Sequence, residues 1–103
     1  MENAGVNTIV FSSSGTTYGS AESPLVETME AGNGITNPYS YTKYVIERML
    51  QDLHYANNSM KIAILRYFNP VGAHESGDIG EDPCGVPTSL FPYALQVHTA
   101  LPV

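Results

Sequence analysis

The stretch KIAILRYF, Lys61 to Phe68, is a nearly continuous apolar run of strand length. Strands buried on both faces have this composition, and they belong to parallel sheets. Immediately upstream, NPYSYTKYVIERML, Asn37 to Leu50, changes to a helical pattern. Asn37 is placed to cap that helix and Pro38 suits its first position. The spacing predicts a helix from Pro38 to Tyr55, ended by ANNSM. Val45, Ile46, Met49, Leu50 and Leu53 are expected to form one apolar stripe packed on the core. Tyr39 and Lys43 fall at the N-terminal edge of that stripe. Further upstream, GVNTIVFSSS is a short apolar run that stops in small hydroxyl residues. Its Val6, Ile9, Val10 and Phe11 are strand formers.

Strand, helix, strand with these lengths is a βαβ unit. Residues 14 to 38 are rich in Gly, Pro and small polar residues and read as loop, unusually long for a compact domain. After Phe68, NPVGAHESGDIGEDPCGVP reads as a second long loop. A helical pattern resumes in SLFPYALQVHTAL, with Pro92 in its first turn. Two strands alone make a poor sheet, and unpaired edges are a liability. The expected fold is therefore α/β, a partial and incomplete Rossmann-like, doubly wound parallel sheet. Residues 1–103 read as a fragment of a larger domain.

The formal net charge is −6, with only four Lys and Arg. A protein that neutralises phosphates needs clustered cations, so no nucleic-acid partner is expected. No apolar run approaches the ~20 residues that span a bilayer, and MENAGVNTIV lacks the regions of a signal peptide. A single cysteine, Cys84, cannot form an internal disulfide. These features fit a reducing, cytoplasmic setting. The acidic loop residues Asp78, Glu81 and Asp82 lack the spacing of a calcium loop, and the three His have no ligand spacing. No metal site is expected. No GxGxxG turn is visible in these residues.

Three constellations carry possible chemistry. Tyr39 and Lys43 are four apart and project from one helical face. A phenol is a poor base at neutral pH, and a neighbouring ammonium favours the phenolate. Ser12, Ser13 and Ser14 end the first strand at the sheet edge where ligands bind in open α/β folds. Ser14 is placed to hydrogen-bond the hydroxyl that Tyr39 deprotonates. Tyr67, Phe68 and Asn69 end the second strand at what should be the same edge. They offer flat surfaces and an amide with both donor and acceptor.

The order and spacing of these elements carry a resemblance. A Ser-rich strand end, Tyr-x-x-x-Lys with its Tyr 25 residues after Ser14, and a strand ending in RYFNP resemble the extended short-chain dehydrogenase/reductase superfamily. Within it, VFSSSGTTYG, NPYSYTKYVIE, ILRYFNPVGAHESGDIGEDPCGVP and SLFPYALQV are similar to the UDP-glucose 4-epimerase family. Nucleotide-sugar 4,6-dehydratases usually place an Asp-Glu pair after the first catalytic hydroxyl residue; here Gly15 and Thr16 follow Ser14. The resemblance implies an isomerase of galactose metabolism that interconverts UDP-galactose and UDP-glucose with tightly held NAD, through a 4-keto sugar. It implies Tyr39 as acid/base, Lys43 on the nicotinamide ribose and Ser14 between Tyr39 and the sugar O4. NAD contacts would come from Ser12, Ser13, Ser14, Tyr39, Lys43, Tyr67 and Phe68. Substrate contacts would come from Ser14, Tyr39, Asn69 and Leu90. A homodimer is implied for the complete enzyme, and the isolated 103 residues are expected to be inactive. Two alternatives stand beside this reading: a non-catalytic truncated product, and a related nucleotide-sugar epimerase or reductase. The chain departs from the family at Thr88 and Ser89, where asparagines are common, at Gly15 for a usual alanine and at Thr17 for a usual valine.

Overall fold

The computed structural model describes residues 2–81 and 84–100. It divides into two compact units, Met1–Phe68 and Asn69–Val103. In the first, strand β1 (Thr8–Ser14) pairs in parallel with strand β2 (Lys61–Tyr67), and helix α1 (Pro38–Ala56) crosses between them. A short 3₁₀ turn, Glu2–Ala4, precedes β1, and a second, Gly15–Tyr18, continues straight from its end. The second unit holds helix α2 (Leu90–Ala100), with Pro92 in its first turn as expected.

The strands pair from Thr8 beside Lys61 to Ser14 beside Tyr67. This register brings the two strand ends level at the C-terminal edge of the sheet. Side chains alternate across a strand, so Ile9, Phe11 and Ser13 share a face with Ile62, Ile64 and Arg66. Those residues are buried or half-buried, while Val10, Ala63, Leu65 and Tyr67 on the opposite face are exposed. The expected burial of β2 on both faces is thus not seen. A strand face is buried only where something covers it, and in the first unit α1 covers one face.

Helix α1 begins as its cap predicts. Asn37 is extended, and its Oδ1 accepts from the Ser40 N–H at 2.8 Å and the Ser40 hydroxyl at 2.9 Å. Loss of such a cap costs about 1 kcal/mol. The helix ends at Ala56, where the Asn57 N–H bonds the Leu53 carbonyl at 2.9 Å. The face that α1 buries matches the expected stripe only in part: its Leu50 is buried and its Leu53 half-buried. Ser40, Glu47 and Leu50 are buried, whereas Val45, Ile46 and Met49 are exposed. The strand face opposite α1 ends in Ser13 and Arg66, so the complementary surface there is polar. An acid on the helix satisfies it; a methionine would leave the guanidinium unpaired.

Of residues 14–38, read as loop, Ser14 ends β1 and Gly15–Tyr18 form the 3₁₀ turn; residues 19–36 form neither helix nor strand but are tied down. The Ser20 N–H bonds the Asn33 carbonyl at 3.0 Å, and the Gly32 N–H bonds the Thr17 carbonyl at 2.9 Å. Gly19, at φ +59°, closes the 3₁₀ turn; a Cβ there would sit 1.9 Å from the Asn33 carbonyl oxygen. In the acidic loop Asp78 and Glu81 are exposed, and Asp82 lies outside the described residues. No described helix is long and apolar enough to cross a membrane.

Among the described residues the buried hydrophobic side chains are Tyr18, Leu50 and Met60. A two-stranded sheet with one helix on one face has little else to exclude from water. The 103 residues in isolation are expected to lose helical ellipticity gradually on heating, without a cooperative transition. A single steep sigmoidal melt by circular dichroism would contradict this.

Candidate active site

The site is built where β1, the 3₁₀ turn and the first half of α1 meet. Lys43 reaches from α1 to the strand end, where its Nζ donates to the Ser12 carbonyl at 2.7 Å. On the way it lies 5.2 Å from the Phe11 ring centroid and 5.7 Å from that of Tyr39. An ammonium over an aromatic face is held by the ring quadrupole. Lys43 therefore has three anchors, two aromatic and one carbonyl. An ammonium has three N–H groups, and one hydrogen-bond partner is present for it among the described residues. Two N–H groups remain for a ligand's hydroxyls. Tyr39, one turn earlier, is 57% exposed and its ring stands open to solvent.

Ser14 is buried at the last position of β1. Its hydroxyl shares a 2.9 Å hydrogen bond with the Thr16 hydroxyl and accepts from the Thr16 N–H at 3.2 Å, capping the 3₁₀ turn. Thr16, not Tyr39, is the partner the structure gives Ser14. Ser12 offers its carbonyl to Lys43. Ser13 turns its hydroxyl the other way and donates to Glu47 Oε1. Tyr67 lies beside Ser14 in the register. Phe68 follows, its ring nearly parallel to that of Tyr18 at 6.4 Å and 15°. Gly15 makes room for it: a Cβ at that position would meet the Phe68 ring at 2.6 Å. The departure from alanine thus has a physical counterpart in where Phe68 sits.

In the second unit, Asn69 and Leu90 line one cavity of about 660 Å³ together with Pro70, Val71, Ser89 and Leu95. Two of the four expected substrate residues line this cavity, with Ser89 beside them.

Glu47 and Arg66 carry the polar core of the site and were absent from the sequence-based set. Glu47 is 1% exposed. The Arg66 Nε lies 3.1 Å from both of its oxygens, and Nη2 lies 2.7 Å from Oε2. The Thr17 hydroxyl, fully buried, donates to the Ser14 carbonyl at 2.8 Å and lies 3.4 Å from Glu47 Oε1. With a single hydrogen, it serves the nearer acceptor first. A valine there would offer neither bond. The Arg66 guanidinium also stacks 4.6 Å from the Tyr18 ring centroid. The hydrogen bond to Glu47 holds the guanidinium above its already high ordinary pKa, against the opposing pull of burial. Arg66 stays charged at any pH the protein meets. A signal did exist in the sequence. Arg66 is a cation set inside the apolar run of β2, well past Lys61 at its start, and Glu47 lies one turn beyond Lys43.

Comparisons with known proteins identify the family. Residues 1–99 match the model of the NAD dependent epimerase/dehydratase family. The chain belongs to that family. It is 56% identical over 98 residues to UDP-glucose 4-epimerase of Bacillus subtilis, covering 94% of this chain and 28% of that protein. It is also 56% identical over 93 residues to UDP-glucose 4-epimerase of Caenorhabditis elegans, covering 89% and 27%. A crystal structure of UDP-glucose-4-epimerase from Stenotrophomonas maltophila, with bound NAD and formylated UDP-arabinopyranose, superposes with a TM-score of 0.80 at 48% identity. That match covers 96% of this chain and 29% of the other. The chain thus spans less than a third of the length of these relatives, and its α/β architecture is part of an epimerase nucleotide-binding domain.

This similarity supplies a host for measurement: a chimera in which the chain replaces the matching segment of the Bacillus subtilis enzyme. Arg66→Met in that chimera leaves Glu47 buried without its cation. Breaking one side of a buried pair is strongly destabilising, and since Arg66 is partly exposed we expect a loss of about 3 kcal/mol in urea unfolding. A loss below about 1 kcal/mol, the range of exposed pairs, would show that the ion pair does not hold the fold.

Proposed function

We propose that this chain carries the acid–base edge of an NAD-dependent UDP-glucose 4-epimerase. One observation carries the reading. Tyr39 and Lys43 stand on successive turns of α1, and the Lys43 ammonium is seated on the Ser12 carbonyl at the end of β1. That places a phenol and an ammonium at the sheet edge where α/β folds bind ligands. Similarity to UDP-glucose 4-epimerases over 94% of the chain supports UDP-galactose and UDP-glucose as the substrates.

The residues present fit NAD. The two uncommitted N–H groups of Lys43 suit the hydroxyls of a ribose, and Tyr67 and Phe68 offer flat surfaces at the same strand ends. When bound, NAD would take up and return a hydride at C4 of the hexose. Tyr39 would remove the O4 proton as the 4-keto sugar forms and give it back on the return step. The Lys43 ammonium would offset the negative charge on the phenol oxygen and hold the ribose. Ser14 would turn its hydroxyl from Thr16 to the sugar O4. Asn69 and Leu90, on the wall of one cavity, would contact the UDP-sugar. The complete enzyme would be a homodimer in the cytoplasm, with Val45, Ile46 and Met49 of α1 available for burial.

Tyr39→Phe in the chimera is expected to lower kcat by about 1,000-fold, the range of general acid–base catalysis. The assay couples UDP-glucose formed from UDP-galactose to its oxidation. A loss below about tenfold would remove Tyr39 from the acid–base role. In the same assay the 103 residues alone are expected to give no conversion, because they contain no GxGxxG phosphate turn and hydride transfer needs the nicotinamide within near-attack distance. Conversion above the no-protein rate would contradict that expectation.

A further inference from the structure

We propose that Glu47 is a positioning residue: through Ser13 and Arg66 it fixes the Tyr39–Lys43 helix relative to Ser14. The proposal rests on the acid–base reading above and extends it to residues that touch no reacting atom.

The argument begins with which elements the carboxylate joins. Glu47 lies one turn beyond Lys43 and two turns beyond Tyr39 on the same helix. Ser13 precedes Ser14 on β1, and Arg66 stands beside Ser13 on β2. Thr17, on the 3₁₀ turn, ties the Ser14 carbonyl to the same neighbourhood. One carboxylate therefore takes donors from both strand ends and lies against the turn that follows Ser14. Both of its oxygens are occupied.

The kind of contact decides what it can do. Apolar packing is non-directional and tolerates small slides of a helix along a sheet. A two-pronged guanidinium–carboxylate pair does not, because its hydrogen bonds weaken steeply away from linear geometry. A one-residue shift of α1 is about 1.5 Å. That is enough to pull Glu47 off Ser13 and to lift Lys43 from its 2.7 Å seat on the Ser12 carbonyl. A buried ion pair is weak evidence for stability, since an apolar pair of similar volume does as well or better. What an apolar pair lacks is direction. The outer residues of α1 cannot substitute, because Val45, Ile46 and Met49 do not touch the sheet in a way that buries them.

The test separates position from stability in the chimera. Glu47→Met with Arg66→Met replaces the pair by apolar side chains, and its Tm is expected at or above that of the parent chimera. Its kcat is nevertheless expected to fall about 100-fold, the cost of roughly 1 Å of misplacement. KM should change far less than kcat, because the Asn69 and Leu90 contacts proposed for the UDP-sugar do not depend on α1. Glu47→Asp, which keeps the charge, should recover part of the lost kcat. Crystal structures of the parent and double-methionine chimeras should show the Lys43–Ser12 contact present in the first and lost in the second. A folded double variant that keeps its kcat within about threefold, or keeps Lys43 on the Ser12 carbonyl, overturns the proposal. So does a kcat loss that merely follows the unfolded fraction. If the parent chimera does not convert UDP-galactose, the acid–base reading fails. The Lys43–Ser12 contact in the two structures then still decides the role of Glu47.

Discussion

A buried carboxylate must find donors, and Glu47 is where this structure meets that demand. Removing an isolated carboxylate from water is too costly for a small unit to bear. Its donors come from Ser13 and Arg66, 34 and 19 residues away along the chain. The strand register makes this possible, because Ser13 and Arg66 are direct neighbours across β1 and β2. One side chain thus requires the parallel pairing, the crossover helix and the strand ends to be in place together. The position of the Tyr39–Lys43 pair at the sheet edge follows from that requirement.

The same geometry explains the division of labour among the three serines that end β1. Alternation along a strand sends Ser13 toward α1 and Ser12 away from it. Ser13 serves the carboxylate, Ser12 lends its carbonyl to Lys43, and Ser14 turns into the next 3₁₀ turn. The Ser14 hydroxyl can turn to a ligand by releasing a local partner, Thr16. A run of three chemically alike residues takes three roles because the backbone aims each one differently.

Much of the first unit was legible in the sequence because its signals are local. Asn37 caps the helix through bonds within one turn, Pro38 takes its first position, and the apolar runs of both strands fall where expected. The Tyr39–Lys43 spacing is likewise a property of one helix. What was not legible depends on distant partners. Hydrophobic periodicity assumes that apolar residues mark the buried face, so it selected Val45, Ile46 and Met49. The sheet instead presents a serine and an arginine to α1, and burial went to Ser40 and Glu47 alongside Leu50 of that stripe. No spacing rule could pair Glu47 with Arg66 before the strands were aligned. The exposed outer face of β1 and β2 departs from the expected two-sided burial for a similar reason. An apolar run reports what a strand can bury, and within the first unit one side is covered.

On the proposed reading, these residues serve a reaction in which hydrogen leaves C4 of a UDP-hexose and returns to the same carbon. The most direct measurement gives the chimera UDP-galactose carrying deuterium at C4 and locates the label in the UDP-glucose formed. The account predicts that the deuterium is retained at C4, because it never enters water while Tyr39 handles only the O4 proton. Deuterium lost to solvent would contradict it.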